Sequence, residues 1–268
     1  MSAHPCVLTI AGSDSGGGAG IQADLKTFMA HGCYGASVIT ALTAQNTMGV
    51  AGIHAPDPEF VALELRTVLE DIPVRAAKTG MLFSAGIASA VADELSGKDF
   101  PLVVDPVSVS QSGHALLQDA AVEALKEKIL PLAALATPNR PEAELLTGIA
   151  IVDEESLLAA LDRMLSFGPR AVLIKGGHMK EREGVLVDWL GRPGLEPLAL
   201  PVPFVETKHT HGTGCTLSAA IAARLGRGEG LVPAVRGAQD FLNRALASGY
   251  AVGRGASPPN HLVNFADL

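Results

Sequence analysis

The sequence predicts an α/β fold with a central, mostly parallel sheet. Seven short runs of apolar or β-branched residues are typical of buried strands, and longer stretches with a helical period separate most of them. The composition, 48% hydrophobic and 18% charged with 29 Gly and 17 Pro, suits a large buried sheet joined by many tight loops. The predicted strands are 7–11, 36–43, 74–79, 101–105, 133–137, 171–175 and 184–189.

Helices are predicted between the strands and at the end of the chain. This alternation requires right-handed crossover connections between parallel strands. No linker, repeat or abrupt change of composition divides the 268 residues, so we expect a single domain, 1–268. The predicted helices are 21–31, 58–70, 84–97, 117–130, 141–147, 155–167, 214–226 and 230–251.

Charge and hydropathy restrict the partners and the location that we expect. A formal net charge of -8 and a pI near 5.5 argue against nucleic acid and anionic membranes, which need clustered Lys and Arg. We therefore expect a small-molecule ligand. The chain has no basic leader and no apolar run of about 18 residues, so a cytoplasmic location is predicted. Cys6, Cys33 and Cys215 are widely spaced, which predicts free thiols.

Glycines and polar residues collect directly after the first six predicted strands. In an open parallel sheet the carboxyl ends of the strands share one edge, and ligands bind there. We therefore expect six separate segments to converge on one cleft. These segments are 12–20, 43–46, 78–81, 105–113, 137–142 and 175–178.

A glycine-rich turn, THGTGCT at 210–216, precedes a helix of small residues. Glycines let the backbone approach a ligand, and the free N–H groups and dipole of a helix start favour negative charge. Gly212, Thr213 and Gly214 are therefore predicted to bind an anion such as a phosphoryl group, with ordinary helix capping as the alternative. Cys215 falls in the first turn, where the dipole should lower its pKa and make it a candidate base; a small buried apolar side chain is the alternative.

The first loop, GSDSGGGAG at 12–20, also follows a strand and precedes a helix. It contains neither a Walker lysine nor the GxGxxG spacing, so we predict backbone contact with a small substrate rather than phosphate binding. Asp24, one turn into the helix, is a candidate for the same pocket. A solvated helix residue is the alternative.

Four further polar residues follow strands and are candidates for charge or metal chemistry. Asn139 and Glu142 have the spacing of a capping box, which explains them without chemistry; the alternative is that they organise Mg²⁺ beside phosphates. Asp105 ends an apolar strand and is placed for electrostatic or metal-linked work. Lys175 ends another strand, where its ammonium group can meet a phosphate. Turn formation is the alternative for both.

Two residues are candidates for contact with a flat ring. Gln45 has an amide that can both donate to and accept from the edge of a heterocycle, although surface amides are common. Met81 offers an adaptable apolar wall, although core packing is the usual role of methionine.

The sequence resembles the hydroxymethylpyrimidine/phosphomethylpyrimidine kinases of thiamine biosynthesis, members of the ribokinase superfamily. The resemblance spans nearly the whole chain and extends to a closing motif, Pro259-Asn260-His261. It implies a ribokinase-like three-layer α/β/α fold, ATP and Mg²⁺, a homodimer, and two successive phosphorylations of 4-amino-5-hydroxymethyl-2-methylpyrimidine. The blocks that carry it are AGSDSGGGAGIQADLKTF, TALTAQNT, KTGML, DPV, TPNRPEAELLTG, LIKGGH and THGTGCTLSAAIAA.

The resemblance also implies roles for individual residues. Cys215 stands where sugar kinases of the superfamily usually have an aspartate base. The implied anion hole consists of Gly212, Thr213 and Gly214. The implied pyrimidine pocket consists of Gln45, Gly12, Asp24, Met81 and Val107. The ATP and Mg²⁺ side is implied to contain Asn139, Lys175, Asp105 and Glu142, the last two as metal ligands.

Four positions depart from the pattern of the family. Ser108 and Gln111 stand where Met and Lys are expected, Thr79 replaces the usual Ile, and Glu64 stands where Gln is common. The absence of a lysine at 111 removes one expected phosphate contact, which concerns the second phosphorylation most because its substrate is already anionic.

Two other functions remain open from the sequence. Pyridoxal also presents a hydroxymethyl group on a flat ring, so a vitamin B6 kinase is one alternative. A non-catalytic pyrimidine-binding regulatory protein is another. All the kinase hypotheses require segment 212–215 to lie beside Gln45, and a structure that separated them would exclude these hypotheses.

Overall fold

The computed structural model describes residues 4–107, 119–178 and 183–265. Within these ranges the chain forms nine strands in one sheet. The strands are β1 Cys6–Asp14, β2 Tyr34–Asn46, β3 Gly49–His54, β4 Val74–Thr79, β5 Leu102–Val104, β6 Leu135–Ala136, β7 Val172–Ile174, β8 Val185–Arg192 and β9 Leu195–Pro203.

The α-helices between parallel strands of the same ranges form crossover connections, whereas the last two helices follow the last strand. The helix Asp119–Ala124 continues into a π turn over Leu125–Ile129 and a 3-10 turn over Leu130–Leu132. No helix in the described part of the chain is long and apolar enough to cross a membrane. The helices are α1 Gly20–Ala30, α2 Pro58–Asp71, α3 Ala85–Leu95, α4 Asp119–Ala124, α5 Arg140–Thr147, α6 Glu154–Leu165, α7 Thr213–Gly226 and α8 Leu231–Ala247.

The order of the strands places a switch point in the middle of the sheet. The order is β3-β2-β1-β4-β5-β6-β7-β8-β9, with parallel pairing from β2 to β7 and antiparallel strands outside them. The chain runs outward from β1 in one direction and from β4 in the other. The loops after these two neighbours therefore separate and leave a crevice at their carboxyl ends.

Two apolar cores lie on opposite faces of the sheet. Val7 belongs to the core under α1, α7 and α8, whereas its neighbour Leu8 belongs to the core under the other helices. In the same way, Leu173 belongs to the core that contains Val7, and Ile174 belongs to the core that contains Leu8. Successive side chains of a strand point to opposite faces, so a strand covered on both sides is apolar at every position.

The predicted parallel sheet and most predicted elements are confirmed, and the errors lie at the sheet edges. The strands β3 and β9 were not predicted, and they are the two edge strands. The sequence of β9, LEPLALPVP, contains three prolines, which a central strand excludes but an edge strand tolerates. Residues 117–118 of one predicted helix and the departures Ser108 and Gln111 lie outside the described residues.

Candidate active site

A cavity of about 740 Å³ opens at the carboxyl ends of the parallel strands. Each of the six polar segments predicted to converge contributes at least one residue to its wall. The predicted convergence is therefore confirmed. The contributing residues include Gly12 near the end of β1, Gln45 in β2, Met81 after β4, Asp105 after β5, Asn139 after β6 and Lys175 after β7.

The turn at 212–215 lines the middle of the cavity and begins α7, as the sequence predicts. Gly212 is the N-cap residue and has a left-handed backbone, with φ of 80°. A Cβ atom there would lie 2.0 Å from the carbonyl oxygen of Gly18, so this position requires glycine. A Cβ at Gly214 would lie 3.4 Å from a carboxylate oxygen of Asp105 and 3.5 Å from Lys175 Nζ. The first turn of α7 thus faces a charged cluster, and the Thr213 N–H group contacts the Thr210 carbonyl oxygen at 3.3 Å.

The closing motif of the chain supports this turn from behind. Thr216 Oγ1 donates to the carbonyl oxygen of Gly212 over 2.9 Å, so its only proton is used there. His261 Nε2, 2.9 Å from the same hydroxyl, must then be the donor. Burial lowers the pKa of His261 to about 4, so the ring is neutral at pH 7 and carries its proton on Nε2. His261 and Thr216 together fix the carbonyl group that begins α7.

The first glycine-rich loop wraps around its own carboxylate. Asp14 accepts backbone N–H groups from Gly16 at 2.8 Å, Gly18 at 3.1 Å and Ala19 at 2.8 Å. Three N–H groups that would otherwise suit a phosphate are therefore used within the loop. A loop whose N–H groups are bonded in this way does not offer them to a phosphate, which agrees with the absence of a nucleotide-binding motif from its sequence. Asp14 was not among the predicted site residues, although an aspartate two residues before a glycine run is typical of such a turn.

A histidine joins the first loop to the glycine-rich turn at 212–215. His211 Nε2 lies 2.8 Å from Asp14 Oδ2 and 3.3 Å from the Gln45 amide. Segment 212–215 therefore begins one residue from a contact with Gln45, and the predicted juxtaposition is confirmed. His211 was not among the predicted site residues. Its position next to a glycine-rich turn is the only local signal that could have indicated it.

Three charged residues form a second cluster beside the turn. Lys175 Nζ lies 3.0 Å from Asp105 Oδ1 and 3.9 Å from Glu142 Oε2. Burial alone would lower the pKa of Lys175, but these two carboxylates raise it above its ordinary value, so the lysine stays charged. Thr137 Oγ1 also contacts Asp105 Oδ1, at 3.2 Å. The cluster places a cation within reach of an anion bound at Gly214.

Asn139 and Glu142 form the capping box that the sequence spacing allows. The Asn139 side chain accepts from the Glu142 N–H group at 2.9 Å, and the Glu142 carboxylate accepts from the Asn139 N–H group at 2.8 Å. The structural alternative is thus confirmed, yet both residues also line the cavity. No group of three or more His, Cys, Asp or Glu in the described ranges is arranged to hold a metal. Two carboxylates do fit Mg²⁺ that arrives with phosphates, because such ions use few protein ligands.

The far end of the cavity is apolar and was not predicted from the sequence. This end is built by β8, β9 and α8. It could not be predicted from the sequence because the edge strand β9 was not predicted. The residues that form it include Leu186, Val202, Phe204, Leu242 and Leu246. A flat apolar group can therefore lie at this end while charged groups lie near Lys175.

Comparison with known proteins establishes the family. A family model described as phosphomethylpyrimidine kinase matches residues 14–260. The chain belongs to this family. The hydroxymethylpyrimidine/phosphomethylpyrimidine kinase of Streptomyces coelicolor is 49% identical over 257 residues, covering 96% of this chain and 94% of that protein. The kinase of the same name from Haemophilus influenzae is 49% identical over 263 residues, covering 97% and 98%.

Solved structures of related kinases have the same architecture. An ADP complex of Bacillus subtilis pyridoxal kinase has a TM-score of 0.89 and 32% identity, covering 98% of this chain and 100% of that one. The phosphomethylpyrimidine kinase of Clostridium difficile 630 has a TM-score of 0.79 and 42% identity, covering 90% and 99%. Staphylococcus aureus pyridoxal kinase with AMP-PCP and pyridoxal has a TM-score of 0.87 and 31% identity, covering 97% and 94%. The ribokinase-like fold and the phosphotransferase class are thereby confirmed.

Four of the five residues predicted for the pyrimidine pocket of this kinase line the cavity. Gly12 and Met81 touch each other: a Cβ on Gly12 would lie 2.5 Å from Met81 Cε. Val107 and Gln45 also belong to the wall. These four residues surround the end of the cavity opposite the apolar one.

The prediction that Asp24 faces the substrate is wrong. The residue is fully buried and is not part of the cavity wall. Its carboxylate pairs with Lys78 Nζ at 2.9 and 3.0 Å and accepts from Thr9 Oγ1 at 2.6 Å. Burial alone would lower the pKa of Lys78, but the Asp24 carboxylate raises it. Asp24 therefore neutralises a buried lysine of the cavity wall from behind.

Cys215 occupies the predicted position, but its predicted acidity is wrong. The thiol lies in the first turn of α7 and lines the cavity. Burial raises the pKa of Cys215 to about 11; the Lys78 ammonium group lowers it, and the Asp24 and Asp105 carboxylates raise it. Loss of solvent outweighs the helix dipole here. All three cysteines are free, as predicted.

Removing Lys78 alone should destabilise the fold strongly. We expect Lys78→Met to lower the free energy of unfolding by about 3–5 kcal/mol, because it leaves the Asp24 carboxylate buried without a counter-ion. Urea denaturation measures this loss. The matched control Lys78→Met/Asp24→Asn keeps an acceptor for Thr9 and removes both charges, so most of the stability should return. Equal losses in the two variants would contradict this account.

The raised pKa of Cys215 predicts slow alkylation at neutral pH. The thiolate is the reactive form, so the rate with iodoacetamide should rise continuously between about pH 6 and 9.5. A Cys6→Ser/Cys33→Ser background leaves Cys215 as the single thiol, and mass spectrometry follows its labelling. A rate that reaches a plateau near neutral pH would show that the helix dipole dominates after all.

Proposed function

We propose that this kinase transfers the γ-phosphoryl group of ATP to 4-amino-5-hydroxymethyl-2-methylpyrimidine and then to its monophosphate, in thiamine biosynthesis. The observation that carries the proposal is the order of groups along one cavity. Gln45 lies on β2, the turn at 212–215 faces Asp105 after β5, and the apolar wall includes β8 and β9, so the strand order sets these groups one after another across the sheet. An acceptor ring, a phosphoryl group and an adenine ring fit this order. The relatives that match almost end to end are named for both phosphorylations.

The ATP side of the proposal combines the apolar end with the charged cluster. Adenine fits between β8, β9 and α8, which leaves the phosphates near Lys175 and Asn139. The ADP and AMP-PCP complexes of the related pyridoxal kinases support a nucleotide here. Mg²⁺ bound through Glu142 and Asp105 would neutralise phosphate charge. Lys175 then exchanges part of its pairing with Asp105 for contact with a phosphate.

The acceptor side is the pocket around Gln45. The Gln45 amide contacts the polar edge of the ring, and Met81 and Val107 cover its apolar faces. Gly12 has no side chain, which lets Met81 pack directly against its backbone and sets the position of this wall. The hydroxymethyl group then points toward Cys215 and the turn.

The protein contributes mainly position and charge to the reaction. Phosphoryl transfer passes through a loose transition state, so strong proton abstraction from the hydroxyl group is not required. Gly212 and Gly214 offer backbone N–H groups to the moving phosphoryl group, and the Thr213 N–H group joins them when it leaves the Thr210 carbonyl oxygen, 3.3 Å away. Burial raises the pKa of Cys215 to about 11, so most of the thiol is protonated at neutral pH, and the fraction present as thiolate accepts the hydroxyl proton late in the transfer, when that proton has become acidic. A single domain over 1–268, a homodimer and a cytoplasmic location complete the proposal as predictions.

A vitamin B6 kinase is the second candidate. The similar solved structures include pyridoxal kinases at TM-scores of 0.89 and 0.87. Identity favours the pyrimidine kinase, because the structure named for that activity is 42% identical and the pyridoxal kinases are 32% and 31% identical. A non-catalytic binding protein would keep the pocket without needing the turn, and calorimetry beside an activity assay would separate that case.

The substrate assignment predicts ADP release that depends on the pyrimidine. In a coupled assay with ATP and Mg²⁺, kcat/KM should be higher for the hydroxymethylpyrimidine than for pyridoxal. Mass spectrometry should show the monophosphate first and the diphosphate second. Absence of turnover with both the pyrimidine and its monophosphate would exclude the proposal. Tight pyrimidine binding without ATP consumption would support a binding protein.

A side chain at Gly214 should block the reaction without unfolding the protein. A Cβ at this position would have no contact below 3.4 Å, so Gly214→Val should retain a melting temperature near that of the wild type. Its methyl groups would occupy the phosphate position, and we expect kcat to fall at least about 100-fold. Gly52→Ala, where a Cβ meets nothing within 4 Å, is the matched control. Normal catalysis by Gly214→Val would exclude the anion hole.

Loss of the thiol tests the role of Cys215 in catalysis. We expect Cys215→Ala to lower kcat by a factor of about 10²–10⁴ if the thiol accepts the hydroxyl proton. The KM for ATP should change little. The pair Cys6→Ala and Cys33→Ala, distant from the cavity, serves as the control. Turnover near the wild-type rate would assign Cys215 to packing.

A further inference from the structure

Four side chains meet where the acceptor pocket joins the first loop: Asp14, His211, Gln45 and Thr43. His211 Nε2 lies 2.8 Å from Asp14 Oδ2 and 3.3 Å from the atom placed as Gln45 Nε2. Thr43 Oγ1 lies 2.8 Å from the carbonyl oxygen of Ser13 and 3.0 Å from the atom placed as Gln45 Oε1. The positions of the protons in this cluster decide which way the amide faces.

Asp14 determines the protonation of His211. The carboxylate already accepts three backbone N–H groups and is 3% exposed, so it acts only as an acceptor. Burial alone would raise the pKa of Asp14, but the hydrogen bonds from His211 and the backbone lower it. An unprotonated ring nitrogen 2.8 Å from a carboxylate oxygen would bring two lone pairs together. His211 therefore carries a proton on Nε2.

Because His211 Nε2 carries a proton, it cannot accept a hydrogen bond from Gln45. If the amide NH₂ group lay 3.3 Å from this nitrogen, two donors would face each other, so the amide oxygen must face the histidine. Thr43 leads to the same orientation independently. Its single proton goes to the nearer acceptor, the carbonyl oxygen of Ser13, so the amide atom beside Thr43 must donate. Oxygen toward His211 and NH₂ toward Thr43 satisfy both ends.

We propose that His211, held by Asp14, positions the Gln45 amide so that its outer edge selects an aminopyrimidine ring. Because the amide oxygen is bonded to His211 and the NH₂ group to Thr43, the outer edge retains one carbonyl lone pair and one N–H group in a fixed order. A ring nitrogen beside an amino group matches this order, as adenine matches the amide of glutamine. If the amide were rotated, its NH₂ group would face the amino group of the ring and its oxygen would face the ring nitrogen, so neither pair could form a hydrogen bond. The inference rests on the proposed function, because it concerns how that acceptor is recognised.

The packing of His211 explains why residue 18 is glycine. A Cβ at Gly18 would lie 2.4 Å from His211 Cδ2. The ring therefore lies directly against the first loop, and its orientation is fixed by packing as well as by Asp14. Such support keeps a binding group in one geometry before the ligand arrives.

The test compares two rings in a double-mutant cycle. The substrates are the 4-amino-5-hydroxymethyl-2-methylpyrimidine and the same ring without its amino group, with Kd measured by calorimetry and KM and kcat by the coupled assay. We expect His211→Leu to weaken binding of the amino ring about tenfold and to leave the desamino ring within about threefold. His211→Gln, which keeps an N–H donor, should retain most of the affinity. The KM for ATP should not change.

The cycle shows whether His211 acts through Gln45. In a Gln45→Ala background, His211→Leu should cause no further loss of affinity for the amino ring. Losses that multiply, or equal losses for the two rings, would overturn the inference and assign His211 to general loop packing. Binding without phosphorylation in the wild type would refute the proposed function, while the Kd values would still test the positioning. Failure of the amino ring to bind would refute both.

Discussion

The contact between the two glycine-rich loops is the constraint on which the site depends. His211 donates to Asp14, and Gly212 lies so close to the backbone of Gly18 that no side chain fits. At this contact the two loops are 197 positions apart in the chain. Their contact holds the start of α7 against the pocket around Gln45. Without it, the turn at 212–215 and the pocket around Gln45 would have no fixed distance between them.

Charge in the interior is arranged in small neutralised groups. Lys78 is matched by Asp24, and Lys175 is matched by Asp105, and both lysines belong to the cavity wall. Asp188, whose pKa burial raises, accepts a backbone N–H group of Gly176 at 2.7 Å. A buried charge without a partner costs several kcal/mol, so these pairs let a polar site exist at the edge of an apolar sheet. Ligand binding then requires an exchange of partners rather than the desolvation of a free ion.

The sequence predicted what depends on local pattern and missed what depends on distant contact. Central strands were recognisable because burial on both faces makes them apolar throughout, whereas β9 was hidden by its prolines. The loops of the site were found because they follow strands. His211 and Asp14 are 197 positions apart, and no local pattern joins them. The errors at Asp24 and Cys215 have one cause: desolvation depends on packing, and neither the charge pattern nor the helix dipole reports it.

The bonds that residues 256–261 make to the site have a consequence for proteolysis. These residues contact the turn and the pocket loops through His211, Thr47 and Thr216. None of them belongs to the buried residues of either apolar core. A protease that cut the chain before residue 256 would therefore leave the sheet and both cores in place but remove the support of the turn, and the cleaved protein would be folded but inactive.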